Sequence, residues 1–149
     1  MKTLFIYYSH TGSGDVVADY LSERGVEVRK VLPVKPLPKS FVGAILKGGF
    51  LATIGYKSPL RDYDPSLEGY DRVIIGSPVW NARFSTPINA VLAVTDLSGV
   101  DLSFVLYAGG GTAPKALDRI AKRYPDAKAV VLKQPKDNAD ELAKLDSLI

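Results

Sequence analysis

The sequence predicts a three-layer α/β sandwich: a five-stranded parallel sheet of order 2-1-3-4-5 with helices on both faces. Three observations carry this expectation. Short runs rich in β-branched and aromatic residues alternate five times with stretches of helical spacing, the pattern of a parallel sheet covered on both sides. The run T-L-F-I-Y-Y at residues 3–8 is apolar without a break, as a strand buried on both faces must be. Loops rich in glycine and hydroxyl side chains follow the first, third and fourth strands, on the edge of an open sheet where ligands sit.

Residues 3–8 form the first predicted strand. Residues 15–24 follow as a helix, with Val17, Tyr20 and Leu21 on one face, and Gly25 stops it. Residues 26–32 alternate and read as the second strand; Pro33, Pro36 and Pro38 then interrupt regular structure. Ser40 is a candidate cap for a helix over 41–54, weakened by Gly43, Gly48 and Gly49. Residues 57–69 are polar and rich in turn formers. Residues 72–76, R-V-I-I-G, are the cleanest strand, and 86–95 a helix with Pro87 in its first turn. The remaining elements are a strand at 102–108, a helix at 114–124, a strand at 127–132 and a helix at 138–148. No repeat, low-complexity stretch or linker divides the chain, so residues 1–149 read as one domain.

Composition narrows the chemistry. Apolar residues make up 46% and charged residues 23%, which suits an ordinary soluble globule with a real core. No apolar stretch approaches the roughly 18 residues of a membrane span, and residues 3–8 are too short for a signal-peptide core, so a cytoplasmic location is the default expectation. Cysteine is absent, which excludes disulfides and thiolate catalysis, and His10 is the single histidine, so neither a zinc site nor a Ser-His-Asp triad is expected. The net charge of +3 is spread over broken local groups rather than a basic stripe, and nucleic acid is not an expected partner.

The first loop reads Ser9-His10-Thr11-Gly12-Ser13-Gly14, directly between a strand and a helix. Backbone N–H groups at a helix start, joined by hydroxyls, suit an anion, and glycines let the backbone come close. The alternative is a polar turn with a helix cap. Neither a Walker loop nor a complete dinucleotide fingerprint is present, since Val17 stands at the third glycine position and the second strand ends Val31-Leu32-Pro33 without an acid. The second loop, residues 77–85, includes Pro78, Val79, Trp80, Asn81, Ala82, Arg83 and Phe84. Its Trp80, the only one in the chain, could stack on a flat heterocycle, or Trp80 and Phe84 could close the core beneath the loop. Asn81 tolerates left-handed backbone and could turn its peptide to a ligand. The third loop, Ala108-Gly109-Gly110-Gly111, exposes backbone groups that suit the polar edge of a pyrimidine-like ring; its alternative is a flexible turn.

On these motifs the chain resembles the flavodoxin family. YYSHTGSGDVVADYL is similar to its phosphate loop, YDRVIIGSPVWNARFSTPINAVL to its strand and loop ending in Gly-Ser/Thr-Pro-Val/Ile-Trp, and VLYAGGGTAPKAL to the loop facing the flavin's pyrimidine side. The likeness spans nearly the whole chain, least clearly at 30–64, and implies a flavodoxin-like sandwich holding FMN. Carried over, Ser9, Thr11, Gly12, Ser13 and Gly14 would contact the phosphate, with His10 in the same loop. Trp80 would lie against the ring system, beside Pro78, Val79 and Phe84. Asn81 and Ala82 would line its reactive nitrogen side, and Gly109, Gly110 and Gly111, after Ala108, its pyrimidine edge. Two departures stand out. Position 14 is Gly where the family often has a hydroxyl, and the third loop lacks the aromatic that often covers the second ring face.

The resemblance implies an electron-transfer flavoprotein that works with a redox partner protein, as a monomer or homodimer. An alternative is an FMN-dependent oxidoreductase taking hydride from NAD(P)H to reduce a quinone or similar small acceptor, which the open ring face and the slightly basic balance favour. A third reading is a flavin- or phosphate-binding regulatory module without turnover.

Overall fold

The computed structural model describes residues 2–35 and 56–149; the helix expected over 41–54 lies outside the described residues. Five parallel strands form the sheet. They are β1 (Thr3–Tyr7), β2 (Glu27–Lys30), β3 (Arg72–Trp80), β5 (Asp101–Ala108) and β6 (Lys128–Lys133), in the spatial order β2-β1-β3-β5-β6. This is the expected 2-1-3-4-5 arrangement. A sixth, two-residue strand, β4 (Arg83–Phe84), folds back antiparallel on the end of β3.

The central strands earn their position by burial. Every residue of β1 is buried, and its side chains alternate between two cores. Leu4, Ile6 and Tyr8 face one way with Val73, Ile75, Phe104 and Leu106; they pack on Ile88, Val91 and Leu92 of helix α2 (Thr86–Val94) and on Ala116 and Ile120 of α3 (Pro114–Arg123). Phe5 and Tyr7 face the other way with Ile74, Val105, Tyr107 and Leu132, against Val17, Ala18 and Leu21 of α1 (Ser13–Ser22) and Leu145 and Leu148 of a C-terminal 3₁₀ helix (Ala139–Leu148). Period-2 strands thus serve both faces, which is why their sequences read as continuous apolar runs. By contrast β2, at the edge, is almost wholly exposed and charged, and so makes a poor template for pairing with another chain.

Gly14, Val17, Ala18 and Leu21 are the buried stripe of α1, at the spacing of one helical face. The helix ends where Val26 N–H reaches the Leu21 carbonyl (3.1 Å) and Gly25 N–H the Ser22 carbonyl (3.1 Å), with Gly25 at φ 87°.

One expectation needs correcting. The third strand does not stop at Gly76: it runs on through Ser77, Pro78 and Val79 to Trp80, and the expected loop at 77–85 is mostly a hairpin. Trp80 pairs with Arg83, and Asn81 (φ 51°) and Ala82 (φ 61°) form the turn with both central residues left-handed, as two-residue hairpins prefer. The base is closed by Ser77, whose buried Oγ donates to the Pro78 carbonyl (2.8 Å) and accepts Ser85 N–H (3.0 Å). Pro78 hides this continuation in the sequence, because proline marks a break unless its missing N–H happens not to be needed.

Candidate functional site

The carboxyl ends of β1, β3, β5 and β6 meet on one edge of the sheet. After β1 the chain wraps around Ser9, whose Oγ accepts N–H bonds from both Gly12 and Gly14, each at 3.1 Å. Gly12 takes φ 101° and caps the start of α1, its carbonyl accepting Val16 N–H at 3.2 Å. Ser9 therefore shapes the loop from within, with its own proton as what it can offer outward. The N–H groups of Thr11 and Ser13 find no acceptor among the described residues, at the positive end of the helix.

Beneath this loop lies a tightly packed tyrosine floor. The buried Tyr107 hydroxyl donates to the Tyr8 carbonyl at 3.1 Å. A Cβ at Gly14 would stand 2.8 Å from that hydroxyl and 2.9 Å from Tyr7 Cδ2; one at Gly76 would stand 2.6 Å from it and 2.5 Å from Phe5 Cζ. Gly14 is thus where it is because α1 comes down onto two tyrosines, and this accounts for the hydroxyl missing at that position. The Tyr7 hydroxyl donates to Asp15 Oδ1 at 3.0 Å, and Lys30 Nζ reaches the same oxygen at 2.8 Å, so the one acid in the first turn of α1 is engaged. Burial raises all three phenols. Tyr8 is pushed up to about 12, and Tyr7 and Tyr107 are raised too, with Asp15 adding to burial in both. All three are neutral at ordinary pH, structural rather than acid–base groups.

The β3–β4 hairpin stands beside the first loop. Trp80 meets Tyr8 and His10 edge-on, with ring centroids 6.0 Å apart in both cases, and the Tyr8 hydroxyl lies 3.4 Å from His10 Nδ1. Phe84 turns inward against Phe104 at 5.3 Å, joining the core with Val79. Arg83 is half-buried and donates to the Asn81 carbonyl at 2.9 Å. Across the edge, Gly109 and Gly110 are exposed, whereas Gly111 (φ 76°) closes the turn against Lys133, whose Cβ would lie 2.9 Å from a Cβ there.

A fourth segment completes the edge. After β6, Gln134 Nε2 donates to the Gly109 carbonyl (3.2 Å) and Lys136 Nζ to the Thr11 carbonyl (3.1 Å). Asp137 and Asn138 N–H groups both return to the Gln134 carbonyl, at 2.9 and 3.1 Å. The result is a cleft of about 320 Å³. His10, Thr11 and Ser13 line it from the first loop, Pro78 from β3, Tyr107, Ala108 and Gly109 from the end of β5, and Gln134, Lys136 and Asp137 from beyond β6.

Of the residues singled out in the sequence, His10, Thr11, Ser13, Pro78, Ala108 and Gly109 meet on this cleft. Ser9, Gly12 and Gly14 build the wall from behind. Val79, Trp80 and Phe84 pack, partly buried, against the core, as the alternative reading of Trp80 and Phe84 expected, and Trp80, Asn81, Ala82, Gly110 and Gly111 are not on the cleft wall. The sequence reading missed Tyr107 and the whole segment after β6. The signal was there: residues 134–138 follow a parallel strand of the same sheet, and the rule that picks out the other carboxyl-end loops applies to them equally.

No family model and no curated protein matches the chain. Solved structures do. A candidate flavoprotein of Bacteroides eggerthii superposes with a TM-score of 0.78 at 20% identity, covering 99% of this chain and 97% of that one. Another from Bacteroides uniformis gives 0.72 at 21%, covering 89% and 90%. A flavoprotein of Lactobacillus acidophilus, solved in complex with FMN, gives 0.71 at 19%, covering 95% and 98%. The chain has the flavodoxin-like fold that these flavoproteins share.

Proposed function

We propose that this edge holds FMN without a covalent link and that the protein passes electrons to or from a partner protein. One observation carries the reading: the first loop and the end of β5 meet on a single cleft, with the N–H groups of Thr11 and Ser13 left to donate. The residues present fit the group. A phosphate needs several converging donors and close backbone approach, and Thr11, Gly12 and Ser13 at the start of α1 offer both. The same fold in a protein solved with FMN supports the choice of ligand.

Bound there, FMN supplies the electron-carrying chemistry, and this chain's residues position and shield it. Thr11 and Ser13 hold the phosphate end through N–H and hydroxyl donors. Tyr7 and Tyr107 pack buried beneath the loop, and the carbonyl of Tyr8, whose ring is buried on the sheet's other face, accepts the Tyr107 hydroxyl. Trp80, edge-on to Tyr8 and His10 beside the first loop, is the aromatic side chain offered to stack on the ring system. Electron transfer calls for no acid–base pair, in keeping with neutral phenols and an Asp15 already engaged. Anaerobic mixing of reduced, FMN-loaded protein with host electron acceptors tests the role; transfer to a protein acceptor supports it, and failure with every one counts against it.

A second reading is an oxidoreductase that takes hydride from NAD(P)H and reduces a quinone-like acceptor. It draws on the exposed Gly109 and Gly110, where nothing lies within 4 Å of a Cβ at Gly110 and only Gln134 Nε2, at 3.6 Å, near one at Gly109. A small substrate could approach there. Rapid bleaching of bound FMN by NADPH or NADH alone selects this reading; no bleaching returns the assignment to a carrier.

A further inference from the structure

We infer that the segment after β6 is a strap across the phosphate end of the cleft, and that Lys136 is the cation that makes the site prefer a phosphorylated flavin. This deepens the FMN reading above and rests on it.

The segment ties two loops that the sheet order keeps apart. Gln134 holds the third loop at Gly109, and Lys136 holds the first at Thr11. The lysine reaches 125 residues back along the chain, yet its partner is a neutral carbonyl, and no ion pair of Lys136 occurs among the described residues. An ammonium has three donors, so two remain beyond Thr11. Its Nζ lies 3.7 Å from where a Cβ of Gly12 would stand, directly over the turn whose neighbouring N–H groups are left to donate. The acids nearby do not cancel it. Asp15 is already held by Lys30 and Tyr7, and Asp137, which lines the same cleft, makes no ion pair with Lys136. A lysine held by a neutral acceptor beside donor N–H groups is a point charge placed for an anion.

The test is a fluorescence-quenching titration of the full chain with FMN and, separately, with riboflavin, which has the same ring and no phosphate. Lys136→Met and Lys136→Arg are compared with the parent; position 136 is exposed, so both variants keep the fold. The Met variant should lose roughly tenfold to a hundredfold in FMN affinity, the range for one charge-assisted hydrogen bond. Riboflavin affinity should not change, and Arg should restore most of the FMN binding. Equal FMN affinity in the Met variant overturns the inference, and so does a parallel loss for riboflavin, which would make the strap merely structural. A parent chain that binds neither flavin overturns the FMN reading itself and this inference with it.

Discussion

Two sets of glycines frame the candidate site, and they are there for opposite reasons. Gly14 and Gly76 sit in the floor, where a single added carbon would press within 2.5–2.9 Å of Phe5, Tyr7, Ser9 and Tyr107. Gly109 and Gly110 sit on the rim, where an added carbon meets almost nothing. The floor glycines let α1 and β3 close around Tyr107; the rim glycines leave backbone open to whatever approaches. In sequence the two kinds look alike. The contrast teaches that a glycine in a ligand loop can be required by what lies beneath it rather than by the ligand.

Substitution at Gly76 should break this pattern most visibly. Gly76→Ala forces a carbon against Phe5 and Tyr107, both held on all sides, and should cost about 1–3 kcal/mol or more in urea unfolding. A change too small to resolve would mean the floor is looser than described. Gly14→Ser introduces the hydroxyl that the sequence resemblance leads one to expect at this position, yet it should destabilise by about 1–3 kcal/mol and leave FMN binding no tighter. A stable Ser variant with improved affinity would show that the position serves the ligand after all.

The floor should also set the alkaline limit of stability. Tyr7, Tyr8 and Tyr107 are raised by burial above their unfolded value near 10, Tyr8 to about 12. Their contribution is fully present below about pH 10, the unfolded value for tyrosine. Above that pH the unfolded chain sheds protons that the folded chain keeps, and stability falls as pH rises through the folded values. Unfolding midpoints measured from pH 8 to 12 should stay flat and then drop steeply; a decline beginning well below pH 10 would assign the loss to other groups.

Smaller effects belong to the rim. Ala82 pays for its φ of 61° with strain that glycine avoids, so Ala82→Gly should stabilise by about 0.5–1 kcal/mol after glycine's own entropy cost. Gly110→Ala should change stability by less than about 0.5 kcal/mol. If the Gly110 and Gly76 variants proved equally destabilised, the contrast between floor and rim would be gone.

Much of the fold was legible because it rests on period and burial. The unbroken apolar runs of β1 and β3 and the stripe Val17–Leu21 name their own elements and the two cores. The hairpin was hidden by Pro78, whose usual meaning is a break, while the left-handed backbone expected of Asn81 was found. The first loop could be read because hydroxyls and glycines at a strand-to-helix junction have a direct physical meaning. That Ser9 would spend its oxygen on Gly12 and Gly14, or that Tyr107 would lie under both Gly14 and Gly76, depends on packing between residues far apart in sequence. Lys136 was hidden for the same reason, since nothing local connects it to Thr11.

The central claim is that the cleft at the carboxyl edge holds the phosphate end of FMN, and titrating flavin-free protein with FMN while following flavin fluorescence tests it most directly. The account predicts strong quenching with one-to-one saturation. No binding at ~10 μM, equivalent to only ~7 kcal/mol of affinity, would contradict it, leaving the flavodoxin-like fold in place and the first loop to be assigned to another ligand.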